Sequence, residues 1–144
     1  MSDQDFLSAA RRHTRDAERM QSDADKLSLD QAWNLAGVAI ECARKAGIQS
    51  DWFWKLLGHS FSTTAEEIVE LAIALDPAAS RRPLRAWSTT YPSVRAWSPE
   101  HRYERTGTRL ATSVEKLVQE SRKACTSISV ALIRDDTMKA AALR

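Results

Sequence analysis

The chain has few of the residues that interrupt or cross-link a fold. Its 144 residues include four glycines, four prolines and two cysteines. Scarce glycine, together with long runs of Ala, Leu, Glu, Arg and Lys, predicts an all-α chain, because these are good helix formers. No strand pattern and no internal repeat is present. The length predicts one domain over residues 1–144 with a sizeable hydrophobic core.

The two cysteines lack the spacing of a metal site. Cys42 and Cys125 both lie within helical patterns, which predicts small buried residues in a reduced protein. The three histidines are scattered along the chain, so we predict no metal ion and no cofactor. The first residues have no basic stretch followed by an apolar one, and no apolar run is long enough to span a bilayer. We therefore expect a cytoplasmic protein that has no membrane partner.

Positive charge is concentrated in residues 81–109, here called the basic segment. It carries seven arginines, two glutamates and no lysine, a local net charge of +5 against +2 for the whole chain. Guanidinium planes and aromatic faces together suit phosphates and bases. The segment therefore predicts a site for an anionic ligand. Its interleaved aromatic residues are Trp87, Tyr91, Trp97 and Tyr103.

The first two helices are predicted by apolar residues at helical spacing. The first has a stripe at spacings of mostly four and three residues, and its members are Phe6, Ala10, His13, Ala17, Met20, Ala24 and Leu27. The second is predicted to begin at the capping box Ser28–Gln31 and to end at Gly47 in a left-handed conformation. Its apolar positions are small and lie on nearly all sides. This pattern predicts the central helix of a bundle.

Two further helices are predicted before the basic segment and one after it. A short helix is expected within residues 51–58. The sequence Thr63–Glu66 fits a second capping box, and Pro77 ends the helix that it opens. The last helix is predicted from apolar residues at about heptad spacing between Leu110 and Leu132. We expect residues 135–144 to be a frayed tail.

The predicted connection between the last two long helices covers residues 76–107 and contains most of the basic segment. Ser98 is predicted to cap a helix that has Pro99 at its first position. Continued in helical form, this element puts Arg102, Arg105 and Arg109 near one face. His59 lies before the third long helix and is predicted to be a turn residue that caps a helix end, not a ligand.

Three stretches of the sequence resemble HEPN domains. Residues 32–46 (AWNLAGVAIECARKA) resemble the second HEPN helix, in which alanines and leucines lead to a Glu, two small residues and a basic-Ala end. Leu57–His59 is similar to the "GH" turn before the third helix. Trp97–Glu104 is similar to the "RY" motif before the last helix. The stretches follow the order of that family and cover most of the chain.

The resemblance implies an up-and-down bundle of four to five helices that forms a homodimer. It also implies a role in a prokaryotic defence or toxin–antitoxin system, with a nucleotidyltransferase or another defence protein as partner. Many HEPN proteins are metal-independent endoribonucleases with an Arg, four to six further residues and a His. Arg95 and His101 have this spacing, and Pro99 between them interrupts a helical link. In that chemistry the His moves the proton of a 2′-hydroxyl and the Arg stabilises charge on the phosphorane.

Three functions are compatible with these observations. The first is a module that binds RNA, a nucleotide or a partner protein through Arg85, Trp97, Arg102, Tyr103, Arg105 and Arg109. The second is an endoribonuclease that uses Arg95 and His101. The third is a non-catalytic assembly subunit of a defence complex. Against each stands a structural alternative, in which Arg102 pairs with Glu41 or Glu104 and the tryptophans fill the core.

Overall fold

The computed structural model describes residues 5–23 and 25–143, without the side chains of residues 26 and 27. Within these ranges the chain is all-helical and has no strand. No helix in the described part of the chain is long and apolar enough to cross a membrane. The elements are α1 (Phe6–Asp23), α2 (Lys26–Gly47), α3 (Asp51–Leu57), α4 (Thr63–Leu75), α5 (Pro77–Ser80), α6 (Trp87–Thr90), the 3₁₀ helices η1 (Pro92–Ala96) and η2 (Pro99–Tyr103), and α7 (Ala111–Ala142).

Helix α2 is the central helix, as its small residues predict. Four of its alanines are completely buried, and these are Ala32, Ala36, Ala39 and Ala43. Small side chains allow neighbouring helices to approach closely, and α1 and α7 both pack against α2. Helix α1 runs antiparallel to α2, because the ammonium of Lys45, near the end of α2, lies 5.6 Å from the ring of Phe6 at the start of α1.

Helix α7 runs in the same direction as α2. Arg109, just before α7, stacks on Trp33 near the start of α2, with the guanidinium carbon 4.7 Å from the ring centroid. Farther along α7, Ile128 packs near Gly47 at the end of α2. The three helices share a continuous hydrophobic core, to which α4 contributes Ala65, Val69, Ala72 and Ile73. Both cysteines are buried in it as free thiols, as predicted.

Both predicted capping boxes are displaced from the caps in the structure. The predicted box at Ser28 is wrong, because Asp25 caps α2 and accepts a hydrogen bond from the Ser28 backbone N–H at 2.9 Å. In α4 the cap is Ser62, which accepts from the Ala65 N–H at 3.3 Å. In each case an earlier polar residue has extended backbone, and its oxygen reaches the N–H three residues ahead.

Gly47 is required by packing and does not have a left-handed backbone. Gly47 is the last residue of α2. Among the described residues, positive φ angles occur at other positions, including Gly58 after α3. A Cβ at Gly47 would lie 2.6 Å from a methyl carbon of Leu84 and 3.1 Å from one of Ile128. The predicted left-handed cap at Gly47 is therefore wrong, and the missing side chain instead lets Leu84 approach α2.

The predicted frayed tail at residues 135–144 is also wrong for the described part of that range, because α7 continues to Ala142, while residue 144 lies outside the described residues. Asp135 anchors this part of the helix. Its carboxylate is buried and accepts a hydrogen bond from Arg82 Nε at 2.9 Å, while Arg82 also donates to the Gly47 carbonyl at 2.8 Å. Burial raises the pKa of Asp135, but the hydrogen bond and charge of Arg82, helped by Arg81, outweigh burial and hold the pKa below its usual value.

Replacement of the buried carboxylate should destabilise the fold. We expect Asp135→Ala to lower the free energy of unfolding by about 3 kcal/mol at pH 7, because Arg82 is left buried without its counter-charge. A carboxylate with a depressed pKa contributes stability above its unfolded pKa of about 3.9, and that contribution is lost as the pH falls. The loss in free energy of unfolding caused by the substitution should therefore become smaller below about pH 4. Urea unfolding at pH 7 and pH 3 measures this loss, with the exposed neighbour Asp136→Ala as the control. Equal losses at both pH values contradict the assignment.

Candidate functional site

The basic segment folds into short helical turns that α2 holds in place. The predicted cap at Ser98 is confirmed: its hydroxyl accepts from the Glu100 N–H at 3.3 Å, and Pro99 begins η2. The helix ends at Tyr103, however, so the prediction that three arginines between residues 102 and 109 share a helical face is wrong. The Gly107 N–H, at a φ of 88°, donates to the Asp30 carboxylate of α2 at 2.6 Å and turns the chain away from the helical path.

Three of the four aromatic residues in the segment belong to the core. Trp87, Tyr91 and Trp97 are between 2% and 6% exposed. The indole of Trp97, predicted to bind a ligand, lies on Gly37 of α2, where a Cβ would be 2.1 Å from the ring. Base stacking on the faces of Trp97 is thereby blocked. Tyr103 differs from the other three, since it is 77% exposed.

The seven arginines divide into two groups. Arg81 and Arg82 contact Asp135, Arg85 contacts Glu70, and Arg109 contacts Glu104. The remaining three are exposed and have no carboxylate partner among the described residues; these are Arg95, Arg102 and Arg105. The Arg102 guanidinium does not pair with Glu41 or Glu104 but stacks on Tyr103, 4.9 Å from the ring centroid.

His101 has a structural contact that occupies one of its ring nitrogens. Its Nδ1 accepts a hydrogen bond from Trp33 Nε1 at 2.9 Å and another from the Ser98 backbone N–H at 3.2 Å. Because both partners are donors, the proton of the neutral ring lies on Nε2. Burial lowers the pKa of His101, and the charge of Arg109 lowers it further against the opposing effect of Glu104 and Glu100. The ring is therefore neutral at pH 7.

Arg95 and His101 do not line the same cleft within one chain. Arg95 lines a cleft of about 630 Å³ between the start of α4 and the two 3₁₀ helices. His101 lies instead in a small recess with Trp33 and Arg109. The endoribonuclease hypothesis for this pair stays a prediction, and it has no support from the arrangement inside one chain.

The cleft that contains Arg95 is lined by hydroxyls, aromatic rings and two basic side chains, and by no carboxylate among the described residues. Its lining consists of His59, Ser60, Phe61, Ser62, Thr63, Ser88, Val94, Arg95, Trp97, Ser98 and Pro99. Four other surface clefts each include at least one Asp or Glu. We call it the α4 cleft. Its chemistry favours a negatively charged ligand.

His59 lies in a turn, as predicted, but it also lines the α4 cleft, although its position in the sequence did not suggest a ligand-binding role. Its Nδ1 lies 2.7 Å from Oε1 of Glu41, which is buried in α2 and also accepts from Lys45 Nζ at 2.9 Å. A carboxylate only accepts, so Nδ1 carries the proton and Nε2 is left for a ligand. The available signal was Glu41 itself, an acid within an otherwise buried helical stretch, which requires a partner from another element.

Arg44 supports the cleft wall from inside. It is 1% exposed, donates to the Ser60 carbonyl, and its guanidinium carbon lies 4.0 Å from the Phe61 ring centroid. Burial lowers the pKa of Arg44 to about 10, against the opposing charges of Glu41 and Glu66. The side chain therefore stays charged at pH 7 and holds the turn before α4 against α2.

Comparison with protein-family models, with curated proteins and with solved structures finds no match to this chain. The function therefore has to be inferred from the geometry of the site. In the part of the chain that the structure describes, no group of three or more His, Cys, Asp or Glu side chains is placed to hold a metal ion.

Substitution of Gly37 should displace Trp97. Alanine has the higher helix propensity by about 1 kcal/mol, but its Cβ at 2.1 Å from the indole forces the ring to move. We expect Gly37→Ala to be net destabilising by about 1 to 3 kcal/mol, since overpacking costs more than propensity returns. Thermal unfolding measures the loss. A more stable variant shows that Trp97 does not pack on α2.

Protonation of His101 is directly observable. We expect nitrogen NMR to show the neutral Nε2–H tautomer at pH 7, and a titration midpoint below the ordinary histidine pKa of about 6.5, because burial and Arg109 disfavour the charged ring. Trp33→Phe removes one donor to Nδ1 and should bring the midpoint nearer to the ordinary value. A wild-type midpoint above 7 contradicts the buried, neutral ring.

Proposed function

We propose that the protein is a HEPN-like module that binds RNA or a nucleotide, and that Arg102, Tyr103 and Arg105 form the contact surface. The observation that carries the proposal is the division of the arginines into paired and unpaired groups. An arginine in an ion pair has to exchange one anion for another on binding phosphate, whereas an unpaired guanidinium is free to form the new contact. The unpaired arginines, with the exposed Tyr103, therefore suit this ligand.

Tyr103 adds a surface for a base. One neighbour, Arg102, stacks against it, and 77% of the residue is exposed. Stacking of a base on an aromatic side chain contributes about 1 to 3 kcal/mol and tolerates every base, because each base has a π-face. Two unpaired arginines and an exposed ring thus support binding of single-stranded RNA with little sequence preference.

Positions that carry the HEPN resemblance lie in contact with other parts of the bundle. His59 of the "GH" turn contacts Glu41 of the ECARKA stretch. His101, next to the "RY" pair, accepts from Trp33 of α2. With the resemblance, the proposal extends to a homodimer in a defence or toxin–antitoxin system, with a nucleotidyltransferase as one class of partner. Binding is favoured over cleavage, because the donors at Nδ1 of His101 occupy that lone pair.

RNA binding is tested by fluorescence anisotropy with a labelled single-stranded oligonucleotide. We expect affinity to fall between 50 and 200 mM salt. The double variant Arg102→Ala/Arg105→Ala should make the slope of log K against log salt shallower by about 1.4, as two lost phosphate contacts require. Tyr103→Ala should weaken binding by about 1 to 3 kcal/mol at every salt concentration.

The control is Arg85→Ala, which removes one positive charge from an arginine that is already paired with Glu70. It should change the affinity little. If the double variant keeps its fold and binds RNA like the wild type, the proposed surface is wrong. If the wild type binds no RNA but a partner protein copurifies with it in stoichiometric amount, the assembly-subunit hypothesis replaces the proposal.

A further inference from the structure

We propose that the α4 cleft binds a phosphomonoester, the terminal phosphate of an RNA or of a free nucleotide. This inference deepens the proposed function and rests on it, because it names the part of the ligand that the cleft takes. The Arg102–Tyr103–Arg105 surface then contacts the remainder of the ligand. The cleft and that surface are argued from different residues.

The first argument is the charge of the lining. Arg95 is exposed on the cleft, has no carboxylate partner among the described residues, and therefore keeps its full charge for a ligand. Ser62 caps α4 and Thr63 is its first residue, and both line the cleft. The amino end of this 13-residue helix carries partial positive charge. Donors of three kinds, guanidinium, hydroxyl and helix end, thus occur in one concave place.

The second argument is His59, which distinguishes a phosphomonoester from the diesters inside an RNA chain. Glu41 accepts the Nδ1 proton, so only Nε2 is left for a ligand. A phosphomonoester has a second ionisation near pH 6 and exchanges a proton at neutral pH, which a diester does not. With Nδ1 carrying the proton, Nε2 accepts a hydrogen bond from the protonated monoester, which has an O–H that a diester lacks. The charged groups beside this ring are Glu41 and Lys45 of α2 and Asp51 and Lys55 of α3. Arg95 lies across the cleft.

The cleft is also of a suitable size for a small ligand. The cleft volume of about 630 Å³ lies within the range of small-molecule sites.

The cleft and the proposed RNA surface are linked by η2. Ser98, the cap of η2, and Pro99, its first residue, line the cleft, and Arg102 and Tyr103 are the last two residues of η2. A five-residue 3₁₀ helix is about 10 Å long. A phosphate in the cleft and a base on Tyr103 can therefore belong to one ligand.

The test compares ligands that differ only in the terminal phosphate. The probes are one RNA oligonucleotide with a 5′-phosphate, with a 3′-phosphate or with hydroxyls at both ends, and AMP against adenosine as competitors. We expect one phosphorylated end to bind at least about tenfold more tightly than the hydroxyl-ended oligonucleotide, as loss of a charge-assisted hydrogen bond requires. Competition by AMP but not adenosine identifies a free nucleotide as a sufficient ligand; preference for an RNA end without AMP competition identifies the strand end.

Two variants examine the cleft itself. Arg95→Gln removes an exposed side chain that contacts no charged partner among the described residues, so the fold should survive, and the preference for the phosphorylated end should disappear. His59→Gln should reduce the same preference. The control Arg102→Ala/Arg105→Ala should weaken all oligonucleotides alike and leave the ratio between them unchanged.

The outcomes separate this inference from the proposed function. If phosphorylated and hydroxyl-ended RNA bind equally, or if folded Arg95→Gln keeps the wild-type preference, the cleft assignment is wrong while RNA binding stands. If AMP binds in an Arg95-dependent manner and no RNA binds, the cleft assignment stands and the RNA surface is wrong. If neither RNA nor AMP binds, both are wrong.

Discussion

Buried charged groups have to find partners inside the protein, and the last two turns of α2 carry three of them. Glu41, Arg44 and Lys45 are each less than 10% exposed. Lys45 satisfies Glu41 from within the helix, but the second contact of Glu41 comes from His59, and Arg44 binds the carbonyl of Ser60. An unpaired buried charge costs several kcal/mol, so the turn before α4 is held against α2. One wall of the α4 cleft is a consequence of this constraint.

The opposite wall of the α4 cleft depends on the small size of glycine residues in α2 and not on charge. Gly37 leaves space on α2 for the indole of Trp97, and Gly47 leaves space for Leu84. These contacts hold the basic segment on the central helix at two levels, and Arg82 adds a third link by joining the Gly47 carbonyl to Asp135 of α7. The segment is consequently an ordered platform. Its ion-paired arginines stabilise that platform, and its unpaired arginines face solvent, where a phosphate can reach them.

Much of the architecture is predictable because helix formation is largely local. Apolar spacing predicts the long helices and the central position of α2, and the proline-led cap at Ser98 is also local. The errors occur where a distant residue decides the outcome. The end of α7 is ordered by Arg82, which is 53 positions away in sequence. The chain leaves the helical path after Tyr103 because Asp30, 77 positions away, accepts from the Gly107 N–H. Neither partner is visible in a local pattern.

Composition and periodicity are enough to establish that the chain is all-helical, that α2 is central and that positive charge is concentrated after α4, because they report directly on these properties. Which of those charges are available to a ligand depends on the folded arrangement. Ion pairing depends on distances between side chains on different elements, and a charge pattern does not contain them. The structure likewise decided that Arg95 shares its cleft with His59 and not with His101. The spacing of Arg95 and His101 suggested a pair, but Trp33 of α2 holds the His101 ring in a separate recess.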